Sequence, residues 1–287
     1  GKCRDGWCAA YVAQKRYPEA ELLPVAYGDE PPYEKVVKRD VLVVDFSWPQ
    51  REVNDTLAAS SRSFQILDHH KTAQAILEGA PYAMFDMARS GAGLTWDILF
   101  GNADGQRVLA RPWYVDYVED HDLWNHKLPN TYEINAFVAT LPFTIEAWDK
   151  LRYMSPNAAS DLGKGALAHV NHYVREAVKT VQVGKLAGYT IGIMNALWLN
   201  CSELGHEIAL HNDISLTWYE NNKGSIIFSL RSEGDKDVSA VAKRFPGGGG
   251  HKNAAGFELP IYEGRELIDH ILNRSVNDRK RIPGGCL

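Results

Sequence analysis

The sequence predicts an α/β chain: an N-terminal domain built on a parallel sheet, then a smaller α+β C-terminal domain, the two joined by a helical linker. Three observations predict it. Short apolar runs alternate with amphipathic stretches through the N-terminal part, as when strands are covered on both faces by crossover helices. A helical period then occupies 161–184. Beyond it, strand-like runs are separated by turn residues. The expected divisions are 1–155, 156–184 and 185–287.

Taken in order, strands are expected at 22–26, 41–46, 64–67 and 82–85, where nearly every residue is apolar. The stretches 6–16, 50–60 and 92–100 are amphipathic and read as helices. Residues 112–124 read as a helix closing in Glu119-Asp120-His121-Asp122, and 144–153 as another. In 161–184 the apolar positions Leu162, Ala166, Leu167, Val170, Tyr173, Val174, Ala177 and Val181 recur at helical spacing. The C-terminal part shows strands at 189–194, 214–219, 225–230 and near 255–259, with Asn221-Asn222-Lys223-Gly224 as a hairpin turn. Helices are expected there at 202–211, 238–245 and 263–273.

With 45% hydrophobic and 23% charged residues, the 287-residue chain has room for two ordinary globular domains. No apolar run approaches the ~20 residues of a membrane span, and the start does not resemble a signal peptide. Cys3, Cys8, Cys201 and Cys286 are too scattered for a disulfide framework, so the cytoplasm is the expected compartment. A net charge of −5 argues against gripping a long duplex, because phosphate neutralisation dominates that affinity. The one dense basic run is Arg279-Lys280-Arg281, in the tail. Phosphate-bearing partners are therefore expected to be short. No membrane partner is expected, and a homodimer is compatible with the sequence.

Asp68-His69-His70 ends an apolar run and makes a poor core segment. Each buried polar group left unsatisfied costs about 1–3 kcal/mol. At the carboxyl edge of a parallel sheet, where ligands sit, these residues can face a metal or a phosphate. Asp45 also terminates an apolar run, Asp5 opens a helix, and Asp120 and Asp122 close one. Oxygen and imidazole donors in this mix suit manganese, magnesium or zinc. A cluster of this size commonly serves two-metal hydrolysis.

In this order (Asp5-Gly6 entering a helix, Asp45 after a strand, Asp68-His69-His70, then Asp120 after a helix) the chain resembles the DHH phosphoesterases. Arg231-Ser232, the run Gly247-Gly248-Gly249-Gly250-His251 and Ala254-Ala255-Gly256 resemble the DHH-associated substrate-binding domain. The resemblance spans nearly the whole chain and implies a DHH catalytic domain followed by that substrate-binding domain. It implies that Asp5, Asp45, His69 and Asp120 bind one ion, with Asp45 bridging to a second. Manganese is the expected metal, with magnesium, zinc or iron(II) as alternatives. Asp122 competes with Asp120 for the ligand role, and Asp120 is preferred. His70 is expected at the scissile phosphate, with Asp68 orienting a neighbouring imidazole. Family members carry an Asp at the position of Cys3 and a His further upstream, so the chain is expected to be truncated at its N terminus. Cys3 is then either a ligand of the second ion, which would favour zinc or iron(II), or a half-buried bystander.

For the substrate, Arg231 offers a bidentate fork and Ser232 a hydroxyl beside it. Gly248, Gly249 and Gly250 expose backbone N–H groups that a phosphate can approach unobstructed, and His251 is expected to reach the same phosphate. Ser90-Gly91-Ala92-Gly93 reads either as an anion-binding helix start or as an N-cap with small residues for close packing. Trp96, Trp113, Trp124, Trp148, Trp198 and Trp218 are expected in the core, though one near the cleft could stack a base. The function implied is metal-dependent hydrolysis of short oligonucleotides or small nucleotide phosphodiesters in a cleft between the domains, in the manner of the nano-RNase or oligoribonuclease-like branch. A nucleotide 3′-phosphatase on the same scaffold and a nucleotide-binding protein without catalysis are the alternatives.

Overall fold

The computed structural model describes residues 3–101, 109–197 and 199–274; Trp198, the run Arg279-Lys280-Arg281 and Cys286 lie outside the described residues. The chain divides into two compact units, 1–169 and 170–287.

The first unit runs α1 (Arg4–Arg16), α2 (Tyr33–Val36), β1 (Asp40–Val44), α3 (Arg51–Ser60), β2 (Ser63–Asp68), α4 (Lys71–Ile76), β3 (Ala83–Phe85), α5 (Gly91–Phe100), α6 (Trp113–Asp122), α7 (Thr131–Val138), α8 (Ile145–Asp149) and α9 (Pro156–Ala177), which continues into the second unit. The strands pair in parallel in the order β1-β2-β3. Val43 and Ile66 pack against Leu57 of α3 and Leu77 after α4. Val44, one residue on and so on the opposite face, packs against the cluster formed by α1, α5 and α6 through Cys8, Val12, Trp96, Val115 and Val118. Cover on both faces is why these strands read as apolar runs. The expected strand at 22–26 does not form. Pro24 lies within it and has no N–H to give a ladder. Helix α7 lay outside the expected elements; its run of Thr, Tyr, Ile, Phe and Val masks the pair Ile134 and Val138, buried one turn apart.

The second unit contains β4 (Gln182–Leu186), β5 (Tyr189–Asn195), α10 (Cys201–Ala209), β6 (Ile214–Glu220), β7 (Ser225–Ser232), α11 (Val238–Ala242), β8 (Gly249–Gly250), β9 (Ala254–Pro260) and α12 (Ile261–Ile271). The sheet order is β4-β5-β6-β7-β9-β8, with β5 and β6 parallel and the other pairs antiparallel. Alternate residues of β7, Ile226, Phe228 and Leu230, join Val238 and Val241 of α11 and Ile268 and Ile271 of α12 in one core. The helix expected to reach 184 ends at Ala177, and 182–186 is β4 instead. Ala187 and Gly188, with φ of 55° and 89°, form the two-residue turn that returns β4 onto β5. Among the described residues, no helix is long and apolar enough to cross a membrane.

Candidate metal centre

The carboxyl edge of the three-stranded sheet gathers the acidic and imidazole side chains. Asp45 follows β1 with φ of 53°, a left-handed turn that Asp tolerates better than most residues. Asp68 closes β2, and His69 and His70 lead into α4. Asp5 sits in the first turn of α1, and Asp122 in the last turn of α6. His69 Nε2 meets Asp45 Oδ1 at 3.2 Å, Asp122 Oδ2 at 3.5 Å and Asp5 Oδ2 at 3.6 Å.

Two carboxylates are anchored by the backbone. Asp5 accepts from the N–H groups of Gly91 (2.6 Å) and Ala92 (3.0 Å), so the start of α5 binds an anion, and that anion is the chain's own. Ser90 caps the same helix by accepting from the Gly93 N–H at 3.1 Å. Asp68 is fully buried. Its Oδ2 accepts from the Ser47 hydroxyl at 2.6 Å, and its Oδ1 faces the His69 N–H at 2.7 Å and His70 Nδ1 at 2.6 Å. With its oxygens engaged in this way, Asp68 orients His70.

The structure places Asp122, and not the preferred Asp120, beside His69. Asp120 accepts from the backbone N–H of Lys127 (2.9 Å) and Leu128 (3.2 Å), holding the loop after α6. Two positions apart on a helix means about 200° of rotation, so both cannot face one point. The sequence did carry the signal: Asp122 continues the i, i+3, i+7 stripe of Val115 and Val118, which packs against α1 and α5. Cys3 is the N-cap of α1. Its Sγ donates to Asp45 Oδ2 at 3.2 Å and accepts from the Gly6 N–H at 3.2 Å, which places the thiol beside the cluster. Ser47 escaped the sequence reading of the centre, and the 90–93 segment was read without its link to Asp5, because small residues shaping a site do not announce their partners.

Charge is unbalanced here. Burial, then the charges of Asp122 and Asp45, push Asp5 well above the usual carboxylate range. Asp122 is raised by burial and by Asp45, although its side chain is 31% exposed. Burial also opposes ionisation of Asp45, but the His69 hydrogen bond and the His70 and His69 charges hold it low. Against burial, the same carboxylates raise His69 to about 10. A divalent cation would relieve this repulsion. Donors about 2.0–2.2 Å from one ion stand roughly 3–3.5 Å apart, close to the 3.2–3.6 Å spacings around His69 Nε2. Asp5, His69 and Asp122 offer one compact donor set, and Asp45, Asp68 and His70 a second, each with its ligand atoms within 4.8 Å of one another. The residues fit a metal.

In the second unit, Arg231 Nη2 donates to Ser202 Oγ at 2.9 Å, and Nη1 to the Leu230 carbonyl at 2.8 Å. Ser232 is buried, its hydroxyl donating to the Lys236 carbonyl at 2.8 Å and accepting from Asn253 Nδ2 at 3.0 Å. Gly249 and Gly250 pair with β9, and the His251 N–H donates to the Ala254 carbonyl at 2.8 Å. Glycine is needed at 248 for the chain's own packing, since a Cβ there would stand 2.0 Å from the Ala242 carbonyl oxygen.

Residues 207–278 match the DHHA1 domain. An uncharacterized protein of Acanthamoeba polyphaga mimivirus is 30% identical over 248 residues, 80% of this chain and 56% of that protein, so the chain spans about half the length of the relative. Three solved structures are similar at low identity. An exopolyphosphatase-related protein from Bacteroides fragilis has a TM-score of 0.45 at 16% identity, covering 81% of this chain and 70% of its own. A pGpG-specific phosphodiesterase from Vibrio cholerae has a TM-score of 0.40 at 12% identity, covering 95% of each chain. An uncharacterized protein from Helicobacter pylori has a TM-score of 0.36 at 15% identity, covering 94% of this chain and 96% of its own.

Proposed function

We propose that the chain is a DHH phosphoesterase: a metal-dependent hydrolase acting on the phosphodiesters of short oligonucleotides or small nucleotides. One observation carries the reading. His69 Nε2 stands 3.2–3.6 Å from carboxylates supplied by three other segments, at the carboxyl edge of a parallel sheet. The DHHA1 match in the second unit supports the family assignment.

Asp5, Asp45, His69 and Asp122 would hold the metal, manganese in this reading, with Cys3 beside Asp45. Divalent ions bound there supply Lewis-acid polarisation of a phosphoryl oxygen and activation of water. The chain's own residues position and protonate. Asp68 holds the His70 ring through Nδ1 and, against burial, favours its charged form. With Nδ1 engaged, Nε2 is the nitrogen assigned to protonate the leaving oxygen. Asp5 is fixed by backbone amides and so keeps its place without a rotamer search. Arg231, Gly248, Gly249, Gly250 and His251 are assigned to a substrate phosphate, with Ser232 shaping the loop beneath them.

Incubation with Mn2+ and di- to pentanucleotides tests the reading. Cleavage that is abolished by EDTA and by Asp45→Asn is expected. Nucleotide binding without turnover, indifferent to both, would instead identify a non-catalytic binder. Faster phosphate release from a 3′-phosphonucleotide than cleavage of a dinucleotide would identify a phosphatase.

A further inference from the structure

Following Asp122 in the chain, the last turn of α6, the loop after it and the first turn of α7 carry rings that lie outside the apolar cluster holding Val115 and Val118. Ring centroids are 5.4 Å apart for His121 and Trp124, 4.6 Å for Trp124 and His126, and 4.4 Å for His126 and Tyr132. Tyr132 is 49% exposed, and Trp124 and His126 are half-buried. Trp124 and His126 have φ of 56° and 50°; His tolerates this left-handed conformation better than most residues, whereas bulky Trp124 adopts it only when its surroundings compel it. The compulsion is visible. The Asp120 carboxylate takes the N–H groups of Lys127 and Leu128, its carbonyl takes those of Asn125 and His126, and the Tyr117 hydroxyl donates to the Pro129 carbonyl. A segment both strained and pinned is a fixed display.

Its hydrogen bonds run in one direction. The Arg4 guanidinium, which can only donate, meets His121 Nε2 at 3.1 Å, so that nitrogen accepts. His121 therefore carries its proton on Nδ1 and donates to His126 Nε2 at 3.3 Å. His126 in turn donates from Nδ1 to the Tyr132 oxygen at 2.8 Å. With its oxygen accepting from His126, the Tyr132 hydroxyl retains a proton of its own to donate.

We propose that Trp124, His126 and Tyr132 receive a nucleobase of the substrate, stacked against the rings and hydrogen-bonded by the Tyr132 hydroxyl. The proposal rests on the nucleotide-hydrolase reading above. A base presents a flat π face and in-plane acceptors, which aromatic rings and a phenol donor match. A bare phosphate or polyphosphate presents neither. Arg4 and His121 are positioning residues: Arg4 also donates to the Asn135 carbonyl at 3.1 Å, tying α1 to α7 around the loop.

The experiment compares kcat/KM for di-adenylate with that for the same phosphodiester lacking one base, using the full chain in Mn2+. Trp124→Ala and Tyr132→Phe are each expected to lower kcat/KM for di-adenylate about tenfold, chiefly through KM, and to leave the abasic compound unchanged. An equal fall for both compounds, or no fall for either, overturns the base site. If wild type cleaves no phosphodiester, the hydrolase reading fails on its own. Equilibrium binding of di-adenylate then decides the base site: tenfold weaker binding in Trp124→Ala upholds it, and equal binding overturns it.

Discussion

A Cβ built on Gly91 would stand 2.4 Å from the Cβ of Asp45 and 2.8 Å from its carboxyl carbon. Helix α5 comes this close to the end of β1 only because residue 91 has no side chain. Gly91→Ala is expected to displace either Asp45 or the first turn of α5, destabilising the fold by about 1–3 kcal/mol. Mn2+ affinity should fall with it. Thermal unfolding and calorimetric titration check both, and unchanged Mn2+ affinity would refute the coupling.

Asp120 and Asp122 should separate cleanly. Asp122→Asn is expected to weaken Mn2+ binding at least tenfold with little effect on the metal-free melting temperature. Asp120→Asn weakens the acceptor for two backbone N–H groups, so it should cost about 1–3 kcal/mol of stability and largely spare Mn2+ affinity. The reverse pattern would return the ligand role to Asp120.

Without metal, stability should fall as pH rises. Against burial, the Asp45 hydrogen bond and the Asp122 and Asp5 charges raise His69 to about 10 in the folded state. The unfolded value is about 6.5. Its contribution is therefore complete below about pH 6.5 and is lost on the way to pH 10. Asp5 and Asp122, also raised, act in the same direction at lower pH, because the unfolded chain releases those protons first. The melting temperature of the metal-free protein should decline across this window. With Mn2+, which requires neutral His69, the decline should be much reduced. A flat metal-free profile would count against the charge arrangement.

Arg111 has a side chain only 1% exposed, and it bonds Glu119 at 2.7 Å and Asp97 at 3.0 and 3.1 Å. Glu119 in turn accepts from the Ser90 N–H at 3.1 Å. The network locks α5 to α6, and with it Asp5 to Asp122. Arg111→Met removes the buried member of the two cations, with Arg89, that pair the partly buried Asp97 and Glu119, and should destabilise by about 1–3 kcal/mol, measurable by urea unfolding.

The order of acids and imidazoles was legible because a parallel sheet collects the carboxyl ends of its strands on one edge, so Asp45 and Asp68 had to meet. The facing of α6 is legible in principle through the helical phase of Val115, Val118 and Asp122, which sets Asp122 and not Asp120 toward α1 and α5. Pro24 contradicted the first expected strand from within. The end of α9 was harder, since Val181 suits a helical stripe and a strand alike, and Ala187-Gly188 decides between them. The loop after α6 was not legible, because left-handed Trp124 and His126 depend on bonds to Asp120 that no local pattern announces.

Asp5 offers the same two oxygens to the amides of Gly91 and Ala92 and to any ion in the centre. Deuterium uptake at those two positions therefore becomes a gauge of occupancy built into the backbone, readable with neither substrate nor turnover.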